Sequence, residues 1–146
     1  MAFDYFYGAQ SQQFAFYRIP KVLFTDNRFQ KISTEGKVLD GLLLDRVSLS
    51  MENGWIDDEG RVYIIFTIEE IEKKMRCSKP KAVKILDELD EKNGMGLIQR
   101  KRQGLGRPNI IYVKNFMSAF KDIEIKTLNY LTSQVKDINP RSKDFL

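Results

Sequence analysis

The stretch from Ile68 to Tyr112 constrains this chain most, because it reads as two short helices separated by a three-residue break and followed by a glycine-tipped hairpin. Thr67 with Glu70 three positions later has capping-box spacing. Ile68, Ile71 and Met75 then recur at helical intervals, while Glu69, Glu70, Glu72, Lys73 and Lys74 take the other face. Arg76-Cys77-Ser78 breaks the pattern, and Ser78 is suited to cap a second helix from Lys79 to about Lys92. Ala82, Ile85, Leu86 and Leu89 form its apolar face, and Asn93-Gly94 supplies a stop of the left-handed type. A strand from Leu97 to Gln103, a turn over Gly104-Leu105-Gly106-Arg107-Pro108-Asn109 and an apolar return strand Ile110 to Val113, ending by Phe116, complete the run.

This is the pattern of a winged helix-turn-helix in an α+β domain: a three-helix core, a small antiparallel sheet and a basic β-hairpin wing. In such a motif the second helix enters the major groove of DNA. Charge says which end of it fits. Lys79, Lys81 and Lys84 occupy the front half, and Asp87, Glu88, Asp90 and Glu91 the back. Phosphates attract the first group and repel the second, and the helix N-terminus adds partial positive charge of its own. For the helix alone, an amphipathic helix with a solvated charged face is the better explanation. The neighbouring hairpin, with Arg100, Lys101, Arg102 and Arg107, tips the reading towards DNA.

The distribution of charge supports it. Formal net charge is +4; residues 76–107 hold nine Lys or Arg and four Asp or Glu, a net of +5, so the rest sums to −1. A concentrated basic patch is the electrostatic footprint of nucleic-acid binding. Arg76, Ser78, Lys79, Lys81, Lys84, Arg100, Lys101, Arg102, Arg107 and Asn109 are the candidate DNA-binding residues. On the helix, Arg76, Lys79, Lys81 and Lys84 can reach base edges; on the wing, Arg100, Lys101 and Arg102 suit phosphates, and Arg107 suits a minor groove.

The chain has no histidine and one cysteine, Cys77. That removes Ser-His-Asp chemistry, histidine metal sites and intrachain disulfides, and no carboxylate cluster resembles a catalytic pair. An enzyme is not expected, nor any cofactor or metal. Asp57-Asp58-Glu59-Gly60 lacks calcium-loop spacing and reads as a hairpin turn with Gly60 left-handed, between short strands at Trp55-Ile56 and Val62 to Phe66. No membrane span or signal peptide is legible, so a cytoplasmic protein is expected.

Three regions are expected: an arm at 1–13, the winged-helix domain at 14–116, and a helix or linker at 117–146. Eight of the seventeen aromatic residues lie between Phe3 and Phe24. Such an arm packs on a partner subunit or on its own domain, and the residues fit both. Phe14 to Phe24 reads as an extended lead-in, with Phe14, Phe16 and Ile19 as core candidates and Thr25-Asp26-Asn27 as a turn. Ser33 caps a first core helix carrying Val38, Leu39, Leu42, Leu43 and Val47 to about Met51. Phe120, Ile123, Ile125, Leu128 and Leu131 fit a helix over 118–136, and 137–146 reads as a frayed end or a link to more chain.

The runs YRIPKVLFTDNRF, GRVYIIFTIEEIEKKM and MGLIQRKRQGLGRPNIIYVKNF resemble the N-terminal domain of plasmid replication initiator protein A, the RepA_N family, over about residues 14–116. The resemblance implies a winged helix that binds directly repeated sites in a plasmid replication origin, acts as a dimer, and precedes a separate C-terminal domain linked to host replication proteins. It implies a recognition helix at 78–92 and a wing at 100–107. Two other functions fit the residues: a transcriptional regulator on a promoter operator, and a protein-interaction winged helix whose basic hairpin is incidental.

Overall fold

The computed structural model describes residues 2–8 and 14–116. The chain divides at Lys114, and the elements below lie in the first unit. The helix expected over 118–136 falls outside the described residues.

After Pro20 the chain makes a single helical turn, α1 (Val22–Thr25), where the sequence reads as extended. Asp26 accepts a hydrogen bond from the Arg28 amide and starts a 3-10 turn at Asn27–Phe29. Val22, Leu23, Phe29 and Ile32 of this segment enter the core. Phe14 and Phe16 do not: they are 57% and 64% exposed, and Ile19 is half-buried. The core places go to residues on the two turns, leaving the earlier aromatics to pack edge-on against each other, Phe6 on Phe14 and Phe14 on Phe16, with ring centroids 6.0 Å apart in each pair.

Helix α2 (Thr34–Asn53) is capped by Ser33, whose hydroxyl accepts from the Gly36 amide at 3.1 Å. It buries Leu39, Leu42 and Leu43 as expected, with Val38 and Val47 half-buried. It also buries Asp40 and Ser50, whose side chains meet no hydrogen-bond partner among the described residues. Burial of an unpaired carboxyl penalises the charged form and pushes Asp40 up to about 7.

The first hairpin is looser than expected, an isolated bridge between Ile56 and Val62 rather than two strands, followed by β1 (Ile64–Ile65). Gly60 takes the left-handed conformation at its turn. Helices α3 (Ile68–Met75) and α4 (Lys79–Leu89) begin at Thr67 and Ser78, whose hydroxyls accept from the Glu70 and Lys81 amides. Ile71 of α3 and Ala82, Ile85, Leu86 and Leu89 of α4 are buried. The Glu70 carboxylate ties α3 to α2 through Arg46 at 3.0 Å, and Arg46 also lies over the Phe66 ring.

Helix α4 stops at Leu89, three residues short of the expected end. Asp90 turns extended and forms a parallel bridge with Ile98, and neither Asn93 nor Gly94 is left-handed. Strand β2 (Ile98–Lys101) is shorter than the sequence suggests, β3 spans the expected Ile110–Val113, and the two form an antiparallel hairpin, Lys101 opposite Ile110 and Ile98 opposite Val113. The sheet order is β1-β3-β2, all antiparallel. Three core helices with such a sheet and a basic hairpin make a winged helix-turn-helix.

Candidate nucleic-acid interface

The turn between α3 and α4 is three residues long because Arg76 adopts a left-handed conformation, φ 51°, and its amide and that of Cys77 both return to the Glu72 carbonyl. A non-glycine residue there carries a backbone cost of roughly 1 kcal/mol. Arg76, Ser78, Lys79 and Lys84 are exposed at or near the front of α4. Lys81 is half-buried and lies 3.7 Å from Glu35 in the first turn of α2, so it is partly engaged within the subunit.

The back half of α4 works inward. The Glu88 carboxylate accepts from the Ser33 amide at 3.1 Å and from its hydroxyl at 2.7 Å, placing a negative charge at the N-terminus of α2. Gly36 is required beside it, since a Cβ would collide with that carboxylate and with Ile32. Asp87 and Asp90 both bind Arg100, at 2.7 and 2.9 Å. Burial lowers the Arg100 pKa, but the hydrogen bonds it donates to Asp90 and then to Asp87 outweigh that and leave the pKa raised.

Arg100 therefore departs from the expected phosphate role. Its guanidinium closes on two carboxylates and fastens the first strand of the wing to α4. Strand alternation carries the signal: Ile98 faces the core, and Arg100, two residues on, shares that face. Lys101, Arg102, Arg107 and Asn109 are exposed. Neither these three wing cations nor Arg76, Lys79 and Lys84 make an ion pair with any described residue. At the base of the wing, Lys92, Arg100, Arg102 and Asn109 line a recess of about 210 Å³ over Asp90. Thr67, Ile68 and Leu86 line another, with Arg100, Pro108 and Asn109, so the start of α3, the middle of α4 and the wing adjoin.

The first hairpin is built differently. Asp57 accepts from the Glu59 amide at 3.0 Å, the Arg61 amide at 2.8 Å, the Arg61 guanidinium at 2.8 Å and the Tyr112 hydroxyl at 2.9 Å. Desolvation raises its pKa, and these donors together overcome that and hold it at about 2. Arg61 also lies over the Tyr112 ring, 4.8 Å from its centroid, and Trp55 stacks on Tyr63. Among the described residues no group of histidine, cysteine and carboxylate side chains is arranged to hold a metal, and no helix is long and apolar enough to cross a membrane.

Residues 15–126 match the family of replication initiator protein A (RepA) N-termini. A 41 kDa protein of Lactobacillus helveticus is 28% identical over 94 residues, 64% of this chain, and the aligned part is only 26% of that protein's length. Among solved structures, the N-terminal domain of a DNA-binding protein is 31% identical with a TM-score of 0.67, covering 95% of this chain and all of that one. A Rep–DNA complex is 35% identical, TM-score 0.63, covering 77% of this chain and 84% of the other. A structure described as an MDR initiator is 34% identical, TM-score 0.60, covering 77% and 86%. With its winged-helix architecture and a family match over most of its length, the chain belongs to the RepA_N family of replication initiator protein A N-termini.

Proposed function

We propose that this chain is the origin-binding domain of a plasmid replication initiator, gripping double-stranded DNA at repeated sites. The front turns of α4 enter the major groove, bringing Arg76, Ser78, Lys79, Lys81 and Lys84 to bases and phosphates. Lys101, Arg102, Arg107 and Asn109 of the wing run along phosphates and the minor groove. The observation that carries the reading is the split within the basic stretch from Arg76 to Arg107: Arg76, Lys79 and Lys84 near the α4 front and Lys101, Arg102 and Arg107 on the outer wing are exposed, while Arg100 anchors the wing to the same helix. Similarity to a Rep–DNA complex supports it.

Homodimerisation, with the exposed aromatic arm as its contact, and host replication proteins engaged through a further C-terminal region belong to the same proposal, as does a place in the cytoplasm. Nuclease protection on the source replicon tests it. Protection of several tandem repeats at the origin is expected; a single protected operator at a promoter contradicts it and supports a transcriptional regulator.

A further inference from the structure

We propose that Leu105, at the tip of the wing, is an apolar wedge that enters the minor groove of bound duplex and unstacks one base step. The inference rests on the DNA-binding reading above. Gly104 to Arg107 form a turn closed by the Arg107 amide donating to the Gly104 carbonyl at 3.3 Å, with Gly106 at φ 75° in its third position. A positive φ at that position marks a type II turn and puts Leu105 at the outer corner. Leu105 is 105% exposed, more than any other large apolar residue described.

Turn corners are ordinarily filled by polar residues, glycine or proline. A leucine there serves no fold purpose, because the tip stands clear of the domain: a Cβ on Gly104 or on Gly106 would meet nothing within 4 Å. Of the exposed N-terminal aromatics, Phe6, Phe14 and Phe16 pack on one another, whereas Leu105 stands at the tip between Arg102 and Arg107 in the chain. The two glycines keep its flanks slender, which suits a groove only about 6 Å wide. Arg102 and Arg107 on either side are placed to bind phosphates along the groove walls. An apolar side chain between two phosphate anchors is the arrangement by which minor-groove proteins prise base steps apart.

The test uses the full chain and duplexes that it selects from a randomised pool, with 2-aminopurine substituted at successive adenines. Binding of the native chain should raise the fluorescence several-fold at one step within the site. Leu105→Ala should abolish the rise and weaken binding by less than about tenfold, because the lost apolar contact is largely offset by the unstacking that no longer occurs. It should leave the salt dependence unchanged, because no charge is lost. Leu105→Met should retain the rise. Tight binding by the native chain with no brightened step, or equal brightening by Leu105→Ala, overturns the wedge and leaves the DNA-binding reading standing. Failure of the native chain to select or bind any duplex overturns that reading, and the wedge with it.

Discussion

The Trp55–Tyr63 hairpin and the wing are both short antiparallel excursions bearing arginine, and they use it in opposite ways. Arg61 is closed off by Asp57, Glu59 and the face of Tyr112. Arg102 and Arg107 have no such partners among the described residues. Arg100 repeats the contrast inside the wing itself: its base is anchored like the first hairpin and its tip is free. Charge content alone therefore does not tell whether a hairpin's arginines are tied within the fold or left open. What separates them is whether the fold supplies carboxylates within reach.

The largest expected effect tests that contrast. Replacing Arg102 and Arg107 together by alanine should weaken duplex binding on the order of a hundredfold at physiological salt, since each charge-assisted bond to phosphate is worth about 1.5 kcal/mol or more. The melting temperature should be unaffected, as usual for exposed positions. Arg61→Ala should leave affinity within about twofold, since it contacts no DNA in this reading. A fall as large as that of the double variant, in a titration of the folded protein, would erase the distinction between the hairpins.

Arg100→Ala comes next. It strands the buried Asp90 carboxylate and should cost about 2 kcal/mol, below the value for a fully buried pair because Arg100 is partly exposed. Chemical denaturation checks this, and a loss under about 0.5 kcal/mol would return Arg100 to the ordinary surface cations.

The two unusual carboxyls are separated by pH. Asp40 has a raised folded pKa, so the native state holds its proton longer than the unfolded chain, and stability falls as pH rises from about 4 through about 7. Asp40→Asn should change stability little at pH 4 and raise it by about 4 kcal/mol at pH 8, because the amide stays neutral while the buried carboxyl must ionise. Asp57 is the opposite case. Its pKa of about 2 stabilises the native state above the ordinary carboxylate range, and this is lost as pH falls towards 2. Asp57→Asn should flatten the acid limb of thermal unfolding measured between pH 4 and pH 2. The smallest effect belongs to Arg76→Gly, which should add about 0.5–1 kcal/mol of stability at a left-handed position while weakening DNA binding.

Much of the fold is legible in the residues. Thr67 and Ser78 announce two helices, and the spacing of Ala82, Ile85, Leu86 and Leu89 names the buried face of α4, because capping and 3.6-residue periodicity are local. The two glycines of the wing mark its tip for the same reason. What is lost are contacts between residues far apart in sequence. Nothing near Glu88 indicates that it caps a helix beginning 54 residues earlier. Nothing near Asp90 marks the bridge to Ile98 that ends α4 early. Phe14 and Phe16 mislead because aromatic character signals burial without saying whether the domain or another molecule provides it. The candidate DNA-binding set is legible as a run of cations, but only contacts made in the fold separate Arg100, and in part Lys81, from the exposed cations around them.

The salt dependence of duplex binding bears on this grip more than any other quantity. For six to ten phosphate contacts the log–log slope should be about −5 to −9. Removing Arg102 and Arg107 should make it shallower by about two, with the fold intact. A slope that is the same with and without these two arginines would contradict a wing that holds phosphates.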